Sequence, residues 1–413
     1  MMRYLRIFQI PAFARYFLGD TIVRLVEQCV QLALLWFLAT RGHSPANLGW
    51  YVFWSTAPAI IGGPLTVKLF RYWSIRRAMV VDLVSRALGY GILTEIIAIH
   101  EDAVNWTVFD GVAFLNALTF MVTNAGGPNL YVHLVPEPWV STALYSEQIG
   151  WNLAVLLSPL LAGVMVSHVP VILFVGSAAV ILVLAAFNLA TISLMTKGTT
   201  AHSDQDSAII SRPIWRLILG NPAIWISTAV FWGMNVAQGM LVVLWPLIVS
   251  HDWHADGTRY GLLLTLEASG GFFGSILLPV LLRKGSAIHR LLWSDAAAGM
   301  VMIAIWNQMD HAKWILPVMF VHAFLAAGAA TWALQIRYDG APSQQRPALL
   351  AYIRSFLQSA GPLGAIIAGM GWRSTGIHRL WQEVIVLLVV FPVLGLSSYM
   401  LLNQHKTCFP RVN

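Results

Sequence analysis

Long apolar runs separated by short polar and basic gaps repeat along the whole chain. A helix crossing lipid needs about 20 mainly apolar residues, because lipid cannot satisfy exposed backbone amides and carbonyls. Twelve stretches meet that need, near residues 16–39, 47–69, 78–98, 104–129, 141–165, 169–194, 220–248, 258–282, 290–309, 314–335, 349–371 and 380–402. The longest polar stretch, TKGTTAHSDQDSAIISRP at 196–213, falls between the sixth and seventh of them. It reads as a flexible cytoplasmic linker joining a six-helix bundle at 1–195 to another at 214–413.

Composition removes the soluble alternatives. The chain is 58% hydrophobic and 10% charged, against about 45–50% and 25% in soluble domains. A soluble enzyme, a disordered chain and a disulfide scaffold are all excluded; the chain has two cysteines, Cys29 and Cys408, in 413 residues. The net charge of +7 does not mark a nucleic-acid partner, because the basic residues cluster between apolar runs. With a cytoplasmic N-terminus, 17 Lys and Arg fall in cytoplasmic segments and 5 in outer ones. That bias predicts both termini in the cytoplasm of a multi-pass membrane protein. The N-terminal MMRYLRIFQIPAF carries no cleavage site of a removable signal.

The two halves resemble each other. Aligning Pro11 with Pro222 puts Arg24 opposite Asn235 and Glu27 opposite Gln238. Gly49, Gly62 and Arg71 recur 212 residues later as Gly261, Gly274 and Arg283, and Arg77-x4-Asp82 recurs as Arg290-x4-Asp295. Ser158-Pro159-Leu160 answers to Gly361-Pro362-Leu363. Two parallel six-helix repeats are a transporter layout. The expected fold is therefore an all-α membrane protein of twelve transmembrane helices in two pseudo-symmetric bundles.

These residues carry a resemblance. The loop Gly63-Pro-Leu-Thr-Val-Lys-Leu-Phe-Arg-Tyr-Trp-Ser-Ile-Arg-Arg77 resembles the signature loop of the major facilitator superfamily, GxLaDrxGrr, without its acidic residue and second glycine. The fifth span, from Gly150 to Ser158-Pro159 and Gly163, resembles the superfamily's antiporter helix with serine in place of one glycine. LWPLIVSHDWHADGTRYGLLLTLEASGGFFGSILL (244–278) and LQIRYDGAPSQQRPALLAYIRSFLQSAGPLGAIIAG (334–369) are most similar to the enterobactin-exporter and macrolide-efflux branch. The resemblance implies alternating access around a central cavity lined by the first span, with no cofactor and a monomeric protein; with the compact loops, it also implies the cell inner membrane.

An ionisable residue at bilayer depth costs at least about 2.5–3.5 kcal/mol unless paired or wetted, so each is a functional candidate. In the first span Asp20, Arg24, Glu27 and Gln31 share one helical face at spacings of four, three and four. Glu27, Glu267 and Asp20 are the candidate proton carriers, with Arg24 placed to tune Glu27. Asp20–Arg24 also reads as a structural pair. The substrate candidates are Arg24, Gln31, Trp151, Asn152, Trp232, Asn235, Gln238, His322, Trp332, Arg354 and Gln358. Tryptophan faces would stack on a planar or cationic cargo, and Arg24 or Arg354 would receive an anionic group. His322 equally reads as a satisfied core histidine. Lys68, Arg71, Arg76, Arg77, Asp82, Glu147 and Asp295 are candidate gating residues. Asp82 with Arg86, and Asp295, read as cytoplasmic locks beside Arg77 and Arg290, and Glu147 as a partner for loop arginines.

There is no P-loop, GxSxG or HExxH, so neither ATP-driven transport nor catalysis is expected. HDWHAD at 251–256 is poorly spaced for zinc, and no metal is expected. The reading is a secondary active transporter of a small molecule, coupled to protons. It leans to export of a siderophore; multidrug or macrolide efflux, and siderophore uptake, are the alternatives.

Overall fold

The computed structural model describes residues 6–41, 44–99, 105–194, 214–307, 312–342 and 345–408; the expected linker at 196–213 lies outside them, as does the side chain of Arg71. The described residues are helical almost throughout, with no strand among them. The first bundle holds α1 (Pro11–Thr40), α2 (Pro45–Thr56), α3 (Pro58–Tyr72), α4 (Ile75–Ile99), α5 (Trp106–Leu134), α6 (Val140–His168) and α7 (Val171–Thr191). After the short α8 (Ile214–Gly220) come α9 (Pro222–Leu247), α10 (Gly257–Leu281), α11 (Ala287–Asn307), α12 (Ala312–Asp339), α13 (Arg346–Gln358) and α14 (Ala360–Cys408). Among the described residues nine helices are long and apolar enough to cross a membrane.

The count falls below twelve at three places: α4, with Arg76, Arg77, Asp82, Arg86 and Glu95, is too charged to be counted, and elsewhere the chain breaks one helix and runs two together. The second expected span is two helices, α2 and α3, parted at Ala57 before Pro58. Ala57 keeps helical φ and ψ (−56°, −35°), and the break comes from Pro58, which has no N–H to close the ladder. The last two expected spans run together through α14, which is broken at Gly376 (φ 72°, ψ 167°). Glycine reaches that positive φ without steric cost. At the end of α9, Pro246 precedes a π turn at Ile248–Asp252, where Trp253 N–H bonds back to Ile248 O at 3.0 Å.

The chain forms two compact units: Met1–Thr199 with Trp245–Thr265, and Thr200–Leu244 with Leu266–Asn413. The stretch 245–265 thus packs with the first unit, although it falls within the expected second bundle at 214–413. There Trp36 stacks on Tyr260 with ring centres 5.4 Å apart, and Thr258 bonds to Ser167 at 3.1 Å. Within the first unit α1 lies along α6 and α7, and α4 lies between α7 and α5. Its core joins Phe13, Tyr16 and Val23 of α1 to Met79 and Leu83 of α4, Leu130 and Tyr131 of α5, and Leu182 and Leu189 of α7. In the second unit α11 packs on α12 and α14, over a core of Ile226, Val230, Leu291, Leu292, Trp332 and Ala333. There α9 and α14 approach backbone to backbone: a Cβ on Gly239 would come within 2.1 Å of Gly361 O, and one on Gly364 within 2.0 Å of Val236 O. Small residues are what allow such proximity in lipid.

Candidate functional site

The polar face of α1 carries two separate ion networks. In the first, Arg24 Nε donates to Asp20 Oδ2 at 2.8 Å, one turn back on the same helix. Its Nη2 donates to Glu147 Oε1 of α6 at 3.1 Å. The guanidinium lies 5.1 Å from the centre of the Trp151 ring, also on α6. Gly127 of α5 faces this cluster; a Cβ there would make ordinary contacts, 3.4 Å from Arg24 Nη2 and 3.5 Å from both Glu147 Oε1 and Tyr16 Oη.

In the second network Arg86 of α4 is the centre. Its Nε and Nη2 donate to the two carboxylate oxygens of Asp82 at 2.8 and 2.9 Å. Nη1 donates to Glu27 Oε1 of α1, and Nη2 also reaches Thr123 Oγ1 of α5 at 3.3 Å. Thr123 donates its hydroxyl to Asp82 Oδ2, and Phe120 lies under the guanidinium at 5.3 Å. Arg86 is 1% exposed. A buried guanidinium is tolerable because its fork meets two carboxylates. The second oxygen of Glu27 is buried without a hydrogen-bond partner.

The second unit is charged differently. On α9, Trp232, Asn235 and Gln238 run at three-residue spacing. Gln238 Nε2 donates to Glu267 Oε1 of α10 at 2.8 Å; Glu267 has no ion pair among the described residues. Trp232 stacks with Phe356 of α13, ring centres 6.1 Å apart, and its Nε1 donates to Ser359 Oγ at 3.4 Å. At the position matching Arg86 in the repeat stands Gly299, so Asp295 keeps the aspartate without the arginine. Asp295 Oδ2 is buried without a hydrogen-bond partner.

Several expectations are revised by this geometry. Glu27 meets Arg86, not Arg24. Glu147 meets the intramembrane Arg24 and no loop arginine. Asp82 bonds to Arg86, its expected companion on the same helix, and through it joins Glu27, so it is no isolated lock. His322 is 3% exposed, with Nδ1 within 3.0 Å of the Ala298 carbonyl. Trp332 is 2% exposed, inside the core cluster, with Arg290 5.2 Å from its ring centre. Both side chains are buried. Gln31, Asn235 and Gln358 are half-buried, and Arg354 is exposed on α13. Asn152 accepts from Gln148 on its own helix at 3.1 Å. Among the gating candidates Lys68 and Arg77 are exposed, and Arg76 donates to Ile192 O at 3.0 Å. Thr123 was missing from the expected site, and Arg86 was read only as the companion of Asp82. The i,i+4 spacing of Asp82 and Arg86 was the available signal.

The chain belongs to the Major Facilitator Superfamily, whose pattern it matches over residues 16–365. It is a membrane transporter and not an enzyme. Among solved structures it is similar to a bacterial homologue of the human lysosomal transporter Spinster, at 12% identity and TM-score 0.68, covering 95% of this chain and 97% of that one. The nucleoside transporter NupG is similar at 12% identity and TM-score 0.70, over 93% and 98%. A D-xylose–proton symporter is similar at 13% and 0.69, over 94% and 96%. At such identities the likeness speaks for the fold. No curated protein sequence matches the chain significantly.

Proposed function

We propose that the chain is a proton-coupled secondary transporter that exports a small organic cation across the inner membrane by alternating access. The observation that carries this reading is Glu267, a carboxylate in a spanning helix whose hydrogen-bond partner is the neutral amide of Gln238. Such a group is available to a proton or to a cationic cargo, and the two exclude each other at one carboxylate. Exclusion is what couples opposite fluxes, because each ligand then favours its own state. Neutralising the carboxylate by either ligand also lowers the cost of closing apolar surface around it. Trp232 and Phe356 on the same unit supply aromatic faces of the kind an organic cation prefers.

The charge count points the same way. Arg24 and Arg86 are each committed to two carboxylates, so neither is free to receive an anion. This removes the main support for siderophore export. That second reading now rests on Arg354, exposed on α13 and without an ion pair among the described residues.

The test is uptake into energised inside-out vesicles. Radiolabelled tetraphenylphosphonium, a metal-free catecholate siderophore and its iron complex are compared with and without a proton uncoupler. Uncoupler-sensitive accumulation of tetraphenylphosphonium, lost in Glu267→Gln, is the expected result. Accumulation of the metal-free siderophore, lost in Arg354→Gln, would establish the second reading instead. Uptake of the iron complex in right-side-out vesicles alone would reverse the direction. Full uphill transport of the cation by Glu267→Gln would remove Glu267 from the coupling.

A further inference from the structure

Between α1, α4, α5 and α7 a small cavity touches both ion networks. Its polar lining is Tyr16, Asp20, Thr123 and Asn188, set in a wall that is otherwise apolar and includes Met79 and Leu83, and about 20 Å³ is open to the centre of a water molecule. About 10–15 Å³ by that measure holds one water, provided two to four polar groups surround it. Those groups are present. Tyr16 is 4% exposed, and its hydroxyl is buried without a hydrogen-bond partner. Asp20 gives one oxygen to Arg24 and keeps other lone pairs. Thr123 uses its hydrogen on Asp82 and one lone pair on Arg86 Nη2, leaving its second lone pair to accept. At one end Asn188 holds Arg15 through two bonds at 3.0 and 3.2 Å.

We infer that a single resident water occupies this cavity and joins the two networks into one hydrogen-bonded chain: Asp20, water, Thr123, Asp82, Arg86, Glu27. The water accepts from the Tyr16 hydroxyl or from a protonated Asp20 and donates toward Thr123. The chain can pass a proton without any side chain moving far. Asp20 releases a proton to the water oxygen, the water releases one of its own to Thr123 Oγ1, and Thr123 releases its hydroxyl proton to Asp82. Each oxygen between the ends gains one proton and loses one, so the net change is one proton moved from Asp20 to Asp82. Thr123 is then a positioning and relay residue, distinct from the carboxylates at either end. The inference does not depend on which cargo is carried.

Three measurements test it. A map near 2 Å resolution of the protein in lipid nanodiscs should show a water within hydrogen-bond distance of Tyr16 Oη and of Asp20 or Thr123. Its absence in a map that resolves other internal waters would overturn the site, as would six-fold oxygen coordination with thermal stabilisation by sodium but not choline chloride. Second, the melting losses of Tyr16→Phe and Thr123→Val should fall short of adding in the double variant, because both remove partners of one water; additive losses would overturn the bridge. Third, in the vesicle assay Thr123→Val should cut uncoupler-sensitive tetraphenylphosphonium accumulation at least tenfold, while Thr123→Ser, which keeps the hydroxyl, retains it. Wild-type accumulation in Thr123→Val would overturn the relay. If wild-type protein accumulates no tetraphenylphosphonium, the cation-export reading fails, and the first two measurements decide the water chain alone.

Discussion

Replacing Arg86 with glutamine is the most informative single perturbation of the first unit. The guanidinium makes two bonds to Asp82, one to Glu27 and one to Thr123. Without it, two carboxylates that shared one cation face a core containing Leu83 and Met79. Breaking a buried ion pair by removing one partner costs about 3–5 kcal/mol, mostly the penalty of the stranded charge. For a cooperative body of about 150–250 residues, 1 kcal/mol moves the midpoint by about 2–4 °C. The expected loss is therefore roughly 6–20 °C. The protein carries its own reporter: Cys29 is buried, with its thiol donating to Ser158 O at 3.4 Å. In a Cys408→Ser background it is the single thiol, and a thiol-reactive fluorophore in detergent reads unfolding directly. The triple variant Glu27→Gln, Asp82→Asn, Arg86→Gln removes charge from all three members and should recover most of the loss. The reasoning is refuted if Arg86→Gln melts within about 2 °C of wild type, or if the neutral triple melts no higher than Arg86→Gln.

Four further expectations follow from the same geometry. Glu27→Gln leaves Arg86 its two bonds to Asp82, so by the same thiol assay it should cost less than half of what Arg86→Gln costs. His322→Gln should keep cation accumulation while lowering the midpoint, because His322 serves the Ala298 carbonyl; loss of transport at unchanged stability would return it to the cargo site. Gly364→Leu should unfold the second unit or strongly reduce its yield in the membrane, since its Cβ would meet the Val236 carbonyl; a normal gel-filtration profile would contradict that packing. Cys29 should resist maleimide labelling in native membranes and react on denaturation, because a buried thiol away from cations is unreactive.

How far the chain could be read in advance depended on where each partner lies. Asp20–Arg24 was legible because i,i+4 neighbours share a helical face whatever the tertiary fold. Asp82–Arg86 obeys the same rule and was visible as a pair on one helix. Glu27–Arg86 was not, since 59 residues and three helix boundaries separate them, and nothing in hydrophobic periodicity says which faces of α1 and α4 meet. Arg24–Glu147, 123 residues apart, was hidden for that reason, and Glu147 was assigned to loop arginines that lie nearer in the expected topology. The break before Pro58 follows from proline chemistry, yet a hydropathy window averages across it. The role of His322 turns on one carbonyl of a neighbouring helix, which a single sequence does not display. The repeat alignment showed more than was drawn from it: Gly299 stands where Arg86 would recur, so the two units differ in charge as well as in order.

The arrangement of charges also sets an order for biogenesis. When α1 enters the bilayer, Arg24 is already neutralised by Asp20 one turn away. Glu27 on the same helix has no partner until α4 arrives. The α4 segment brings Asp82 and Arg86 together, a pair that balances itself during insertion yet leaves the guanidinium able to accept one more carboxylate. Glu147 on α6 likewise waits for Arg24, which has been in the membrane since the first helix. Glu27 and Glu147 thus each find an arginine supplied by another helix. An unpartnered charge in lipid is costly, so α1 and α4 gain by docking as soon as both are inserted, and α6 closes the set. The two networks therefore act as assembly instructions, read once during synthesis, in addition to whatever they do in each transport cycle.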